Sequence, residues 1–184
     1  MQVSESGPLG NPNPFSVFGR YFDRVLLLSA TAWVGALWIV GFMVVPLLFA
    51  MIPERALAGK IAGVLFERVG WTGLLCGSLL LFLAWRALGA RFVRTPVVWV
   101  LMLMTLCAVV MQLGIQPMMA QMKLDALPAE VMDSAYAARF AFWHRASSLL
   151  YVAQSVLGVV LVAGLPALLS SASGGQQCAI RPEN

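Results

Sequence analysis

Apolar residues in this chain do not alternate with polar ones. They run on, in four windows at 25–52, 69–85, 97–115 and 146–169. Each approaches or exceeds the roughly 20 residues a helix needs to cross a bilayer. A membrane β-barrel would show alternation instead. The pattern predicts an all-α integral membrane four-helix bundle with crossings near 25–51, 69–88, 97–119 and 146–169. The first run, 28 residues, would be about 42 Å long as a helix. That exceeds the hydrocarbon core, so the part beyond Pro46, which should kink it, is expected to tilt or emerge.

The interruptions place the connections. In "PERALAGKIAGVLFERVG" (53–70), Leu57, Ile61, Val64 and Leu65 share a helical face. The second helix therefore starts near Pro53, a favourable first helical residue, and runs to about Leu88. "GARFVRTP" (89–96) is a short turn, and the third helix is expected to break near Gly114 and Pro117. The polar "KLDALPAEVMDSA" (123–135) leads to the fourth helix, with Ser134 as its N-cap. The resulting division is a disordered tail and aromatic–basic interfacial anchor over 1–22, the transmembrane domain over 23–170 and a disordered tail over 171–184. The first apolar run reads as an uncleaved anchor, being longer than the roughly 7–15 residues of a signal peptide's apolar region.

The proline segments suggest a repeat. "VVPLLFAMI" ends the first run and "GIQPMMAQM" the third. A polar, partly helical segment follows each, then a charged mouth: Glu67–Arg68 in one half, His144–Arg145 in the other. Two similar helical hairpins in parallel repeat would build the bundle.

Composition sharpens this picture. Charged residues are 11% of the 184, and mean hydropathy is +0.85, where soluble domains carry about 25% charged residues. The net charge of +4 comes from basic residues flanking the apolar runs, which fits lipid headgroups and not nucleic acid. With both termini on one side, the 12 Lys and Arg divide evenly between the two sides. The short 86–95 turn, without an acidic residue, tips the termini towards the cytoplasm of an inner-membrane protein. The three cysteines have no metal-site or disulfide spacing.

Chemistry concentrates around the single histidine, in "FAFWHRASSLLY" (140–151). His144, Ser148, Tyr151 and Ser155 recur at helical spacing, with Ser147 and Gln154 on the adjacent edge. Such a polar stripe should face protein or water. Gln112 and Gln116 of the third helix, Thr72 of the second, and Glu67 and Arg68 at the mouth are its expected partners. His144 is expected to turn inward while Arg145 snorkels to headgroups. Gln112 and Gln154 should lie at similar depth inside the bundle. Ordinary interhelical hydrogen bonding explains the stripe as well as a binding pocket does.

Thioethers from Met111, Met118 and Met122, completed by His144, form the weak candidate set for a soft metal such as Cu(I); methionine is also ordinary core filling. One histidine excludes bis-histidine haem within one chain. No catalytic triad or phosphate loop is legible, so no cofactor is expected and a non-enzymatic role is favoured. Gly73 and Gly77 form a GxxxG motif, and Ala58/Ala62 and Gly59/Gly63 are small-residue pairs suited to close helix approach. Such faces also suit docking of a second copy or of a membrane-complex partner.

Five pieces stand in order along the chain: "WVG" (Trp33, Gly35), "VPLLF" (Pro46, Phe49), "AGKIAGVLF" (Ala58, Gly59, Gly63, Phe66), "QP" (Pro117) and "FAFWHRAS" (Phe140, His144, Ser147). In these the sequence resembles the bacterial membrane family known as domain of unknown function 4149, related to transmembrane-protein-205-like proteins. The resemblance implies a small four-helix membrane protein without an agreed activity. A more distant likeness, to CopD-type copper-resistance membrane proteins, implies metal or haem chemistry, but the additional histidines of that family are missing here. The sequence thus supports a membrane protein with a polar pocket at the His144 mouth. Its alternatives are a binding or transport protein for copper or a small solute, and a structural subunit of a membrane complex.

Overall fold

The computed structural model describes residues 14–127 and 130–178, and no strand occurs among them. The helices are α1 (Pro14–Ile39), α2 (Val45–Met51), α3 (Arg55–Leu88), α4 (Pro96–Val109), α5 (Gln116–Asp125) and α6 (Ala137–Cys178). Wide π-turns at Val40–Val44 and Val110–Ile115 join α1 to α2 and α4 to α5. Four helical rods result: Asp23–Met51, Arg55–Arg94, Pro96–Asp125 and Ala137–Ala167, each long and apolar enough to cross a membrane. Each rod packs on the next, and α6 closes the ring against α1.

The π-turns have a common chemical cause. Pro46 and Pro117 each follow one directly, as the second residue of α2 and of α5. A proline inside a helix lacks an N–H, and its ring clashes with the carbonyl four residues back. Widening the preceding turn relieves the clash. The Val45 N–H then bonds the Val40 carbonyl, and the Gln116 N–H that of Met111, five residues back in both cases. The interruptions expected at Pro46 and Pro117 are therefore widened turns. Their recurrence at the same place in the first and third rods supports the two-hairpin repeat.

The core follows helical spacing. Leu26, Ala30, Trp33 and Leu37 line α1; Val98, Leu101, Met104 and Ala108 line α4; and Leu161 and Leu165 line α6. The buried face of α3 is instead mostly small, with Ala58, Ala62, Gly73, Gly77 and Ala84. The outward surface is apolar: Leu75 and Leu149 are each 72% exposed. An apolar exterior around a partly polar interior is the reverse of a soluble bundle and fits a lipid solvent.

The helices run past the expected limits of the transmembrane domain at both ends. Helix α1 begins at Pro14, so the anchor segment 14–22 is already helical, and α6 continues to Cys178. A nucleated helix propagates at small cost per residue, which carries α6 through the polar "SSASGGQQC". The remaining tail residues, 1–13 and 179–184, lie outside the described residues. Helix α3 starts within two residues of the expected Pro53. Ser134 lies just before α6, and its Oγ accepts the Tyr136 N–H at 3.2 Å.

Candidate polar site inside the bundle

The polar groups meet at the level of the two π-turns. Tyr151 of α6 crosses to α1, where its hydroxyl donates to the Leu37 carbonyl at 2.6 Å. Its ring stands edge-on to Phe66 of α3, with centroids 4.9 Å apart. Gly41, inside the first π-turn, makes room: a Cβ there would overlap the Tyr151 ring. One turn further along α6, Gln154 is 5% exposed, and its Nε2 donates to the Met104 carbonyl at 3.4 Å. Ser155 donates to the Tyr151 carbonyl at 2.9 Å, while its own carbonyl accepts from Trp38 Nε1 at 3.3 Å.

The second π-turn supplies Gln112, 6% exposed. Its amide oxygen lies where a Cβ on Gly70 of α3 would be. The two halves thus solve one problem in mirrored ways. Gly41 lies five residues before Pro46, and Gln112 five before Pro117. In one half the glycine is on the π-turn and the bulky polar group on the neighbouring helix; in the other half the roles are exchanged.

Between these groups is a small cavity of about 20 Å³. Its polar lining is Trp33, Gln112, Gln116, Tyr151 and Gln154; Leu37, Phe66, Val69, Ala108 and Met111 supply apolar wall. No lining residue is Asp, Glu, Lys, Arg or His. Trp33 is completely buried, and its Nε1–H has no hydrogen-bond acceptor among the described residues. An orphaned buried donor costs about 1–3 kcal/mol. The indole lies on the GxxxG motif of α3. A Cβ on Gly73 would overlap Trp33 Nε1, and one on Gly77 would come 3.0 Å from the far ring edge and 2.7 Å from Thr105 Oγ1. The motif read as a helix-docking face is a bed for tryptophan.

Of the residues singled out by sequence, Tyr151, Gln154, Gln112, Gln116, Trp33 and Phe66 meet at this cavity. Gln112 and Gln154 are both buried and line the same cavity. His144 does not turn inward, which corrects that expectation. It is exposed, and its ring stacks on Phe140 with centroids 6.2 Å apart. It sits in the second turn of α6, where Lys123 Nζ lies 5.6 Å over the neighbouring Phe140 ring. Ser147 and Ser148 donate to the His144 carbonyl at 2.8 and 2.9 Å, satisfied within their own helix and in need of no partner. Glu67 and Arg68 are exposed, and Thr72 donates to the Arg68 carbonyl at 2.9 Å. Met122 is buried, Met118 half-buried and Met111 in the cavity wall. Among the described residues no three His, Cys, Asp or Glu side chains come together as a metal site.

Gly35 and Gly59 have open space beside them, and Gly63 faces Lys123 Nζ at 3.8 Å from an added Cβ. Phe49 is exposed. Sequence reasoning passed over Gly41 and Gly70. The signal for Gly41 was its register with Gln112 relative to the two prolines.

The profile of the family described as Domain of unknown function (DUF4149) matches residues 28–127. The chain belongs to this family. The matched segment holds Trp33, both π-turns, Gly70 and Gln112, and ends before α6 with its Tyr151 and Gln154. No curated protein and no solved structure matches the chain.

Proposed function

We propose that this protein is a non-enzymatic, multi-pass inner-membrane protein that binds a small polar solute inside its bundle on the way across the bilayer. The pocket read at the His144 mouth is placed, in this proposal, deeper, at the π-turns. One observation carries the reading: amides from two different rods, a phenol and an indole converge on one neutral cavity. Polar groups held at such depth are costly and mark solute pathways. π-turns, which are rare, frequently occur at functional sites.

The test is solute entry into proteoliposomes, followed by light scattering after osmotic shock, with formamide, urea and glycerol as probes. At least one probe should enter faster than into protein-free vesicles, and Gln112→Leu should return its rate to the protein-free level. Entry no faster than into protein-free vesicles for all three probes would end the proposal. A second reading, soft-metal binding, draws support from the Met111 thioether in the cavity wall. Copper co-purifying in stoichiometric amount from copper-supplemented cells, and lost in Met111→Leu, would favour it instead.

A further inference from the structure

The occupant's chemistry can be read from the unused hydrogen-bonding capacity around the cavity. This inference rests on the reading of the cavity as a binding site and names what fills it. Trp33 Nε1–H is a donor without an acceptor among the described residues. The orientation of its ring is set by α3: the nitrogen edge lies at Gly73, and the far edge at Gly77. The nitrogen edge is therefore the end of the indole nearer Gly70, where the Gln112 amide oxygen lies. Neither end of the Gln112 amide bonds a described residue. Gln154 uses its Nε2 on the Met104 carbonyl, which leaves its oxygen as an acceptor.

The indole donor, the Gln112 and Gln154 oxygens as acceptors, and the further amide groups of Gln112 and Gln116 thus border a space of about 20 Å³. A buried water needs about 10–15 Å³ and two to four polar partners. No charged side chain is available to pair with an ion. An anion would meet amide oxygens, and a cation would meet the indole N–H.

We propose that Trp33, Gln112 and Gln154 hold a resident water, which accepts from Trp33 Nε1 and donates to the two glutamine oxygens. A site built this way takes, in place of the water, neutral solutes that both donate and accept. Trp33 fixes the acceptor requirement, and Gly73 and Gly77 hold Trp33 in position.

The test uses the full-length protein in lipid nanodiscs with tryptophan labelled at the indole nitrogen. Nuclear magnetic resonance then measures magnetisation transfer from water to each indole proton. The chain has six tryptophans, so replacing the other five singly with phenylalanine assigns Trp33 by elimination. Trp33 should show direct transfer from a long-lived water despite its burial. Gln112→Leu should abolish that transfer while the other five resonances stay in place. A Trp33 proton without water transfer in the wild-type protein would overturn the proposal, whether or not the leucine variant folds; so would transfer that persists in the Gln112→Leu, Gln154→Leu double variant. The two readings fail separately. A dry Trp33 alongside solute entry would remove the water alone, and a wet Trp33 without solute entry would remove the transport role alone.

Discussion

At the scale of single residues, glycine decides what can approach. Gly73 and Gly59 both lie on α3, and both belong to small-residue pairs in the sequence. Their surroundings differ completely: a Cβ on Gly73 would overlap the Trp33 indole, and one on Gly59 would meet nothing within 4 Å. Gly73→Ala should therefore destabilise the bundle by about 1–3 kcal/mol through overpacking. Gly59→Ala should be neutral or stabilising by up to about 1 kcal/mol, from helix propensity alone. Reversible unfolding in mixed detergent micelles measures both, and equal effects would refute the role assigned to the tryptophan bed. Spacing could not separate the two glycines, because what lies against each belongs to another helix. His144 gives the same lesson in the opposite direction. Its rarity made it prominent in the sequence, yet the groups at the cavity are commonplace amides and aromatics whose partners are distant in the chain.

At the scale of elements, length and proline position explain most of what is seen. Helix α3 has 34 residues, about 51 Å at 1.5 Å per residue, against a hydrocarbon core of about 30 Å. Arg68 and Arg86 are both exposed and lie about 27 Å apart along the helix. The first turns, from Arg55 to Arg68, should then stand outside the hydrocarbon. Introduced cysteines give the measurement. Leu57→Cys should react with a membrane-impermeant maleimide, and Leu79→Cys should not, in a background with Cys76, Cys107 and Cys178 replaced by serine. Labelling at both positions, or at neither, would contradict this placement. The sequence already showed this helix starting before the membrane, because Leu57, Ile61, Val64 and Leu65 share one helical face in the polar segment ahead of the apolar run. It did not show that the prolines would act through π-turns, since a kink, a break and a widened turn all relieve the same clash. Neighbouring helices take part beside the widened turn, as where the Tyr151 hydroxyl donates to the Leu37 carbonyl.

At the scale of the whole molecule, four rods in a closed ring with short connections should return the chain to its starting side. Fusions of green fluorescent protein to either terminus should both fluoresce, and alkaline phosphatase fusions at the same ends should both be inactive, if the termini face the cytoplasm. A split result between the ends would refute four crossings; the reverse result at both ends would keep the crossings and invert the orientation. The sequence by itself determined the number of crossings, their approximate limits and the lipid-facing character of the surface. These depend on runs of adjacent residues, and the bilayer acts on each run independently of the others. Tertiary structure alone decided where the polar cavity lies. Gly41 with Tyr151, Gly70 with Gln112, and Gly73 with Trp33 are contacts between different helices, fixed by the rotation and depth at which the rods pack. The stripe on α6 shows the division most plainly. Its serines satisfy themselves along their own helix, and Tyr151, Gln154 and Ser155 reach the interior, because the ring closes around them and not around His144.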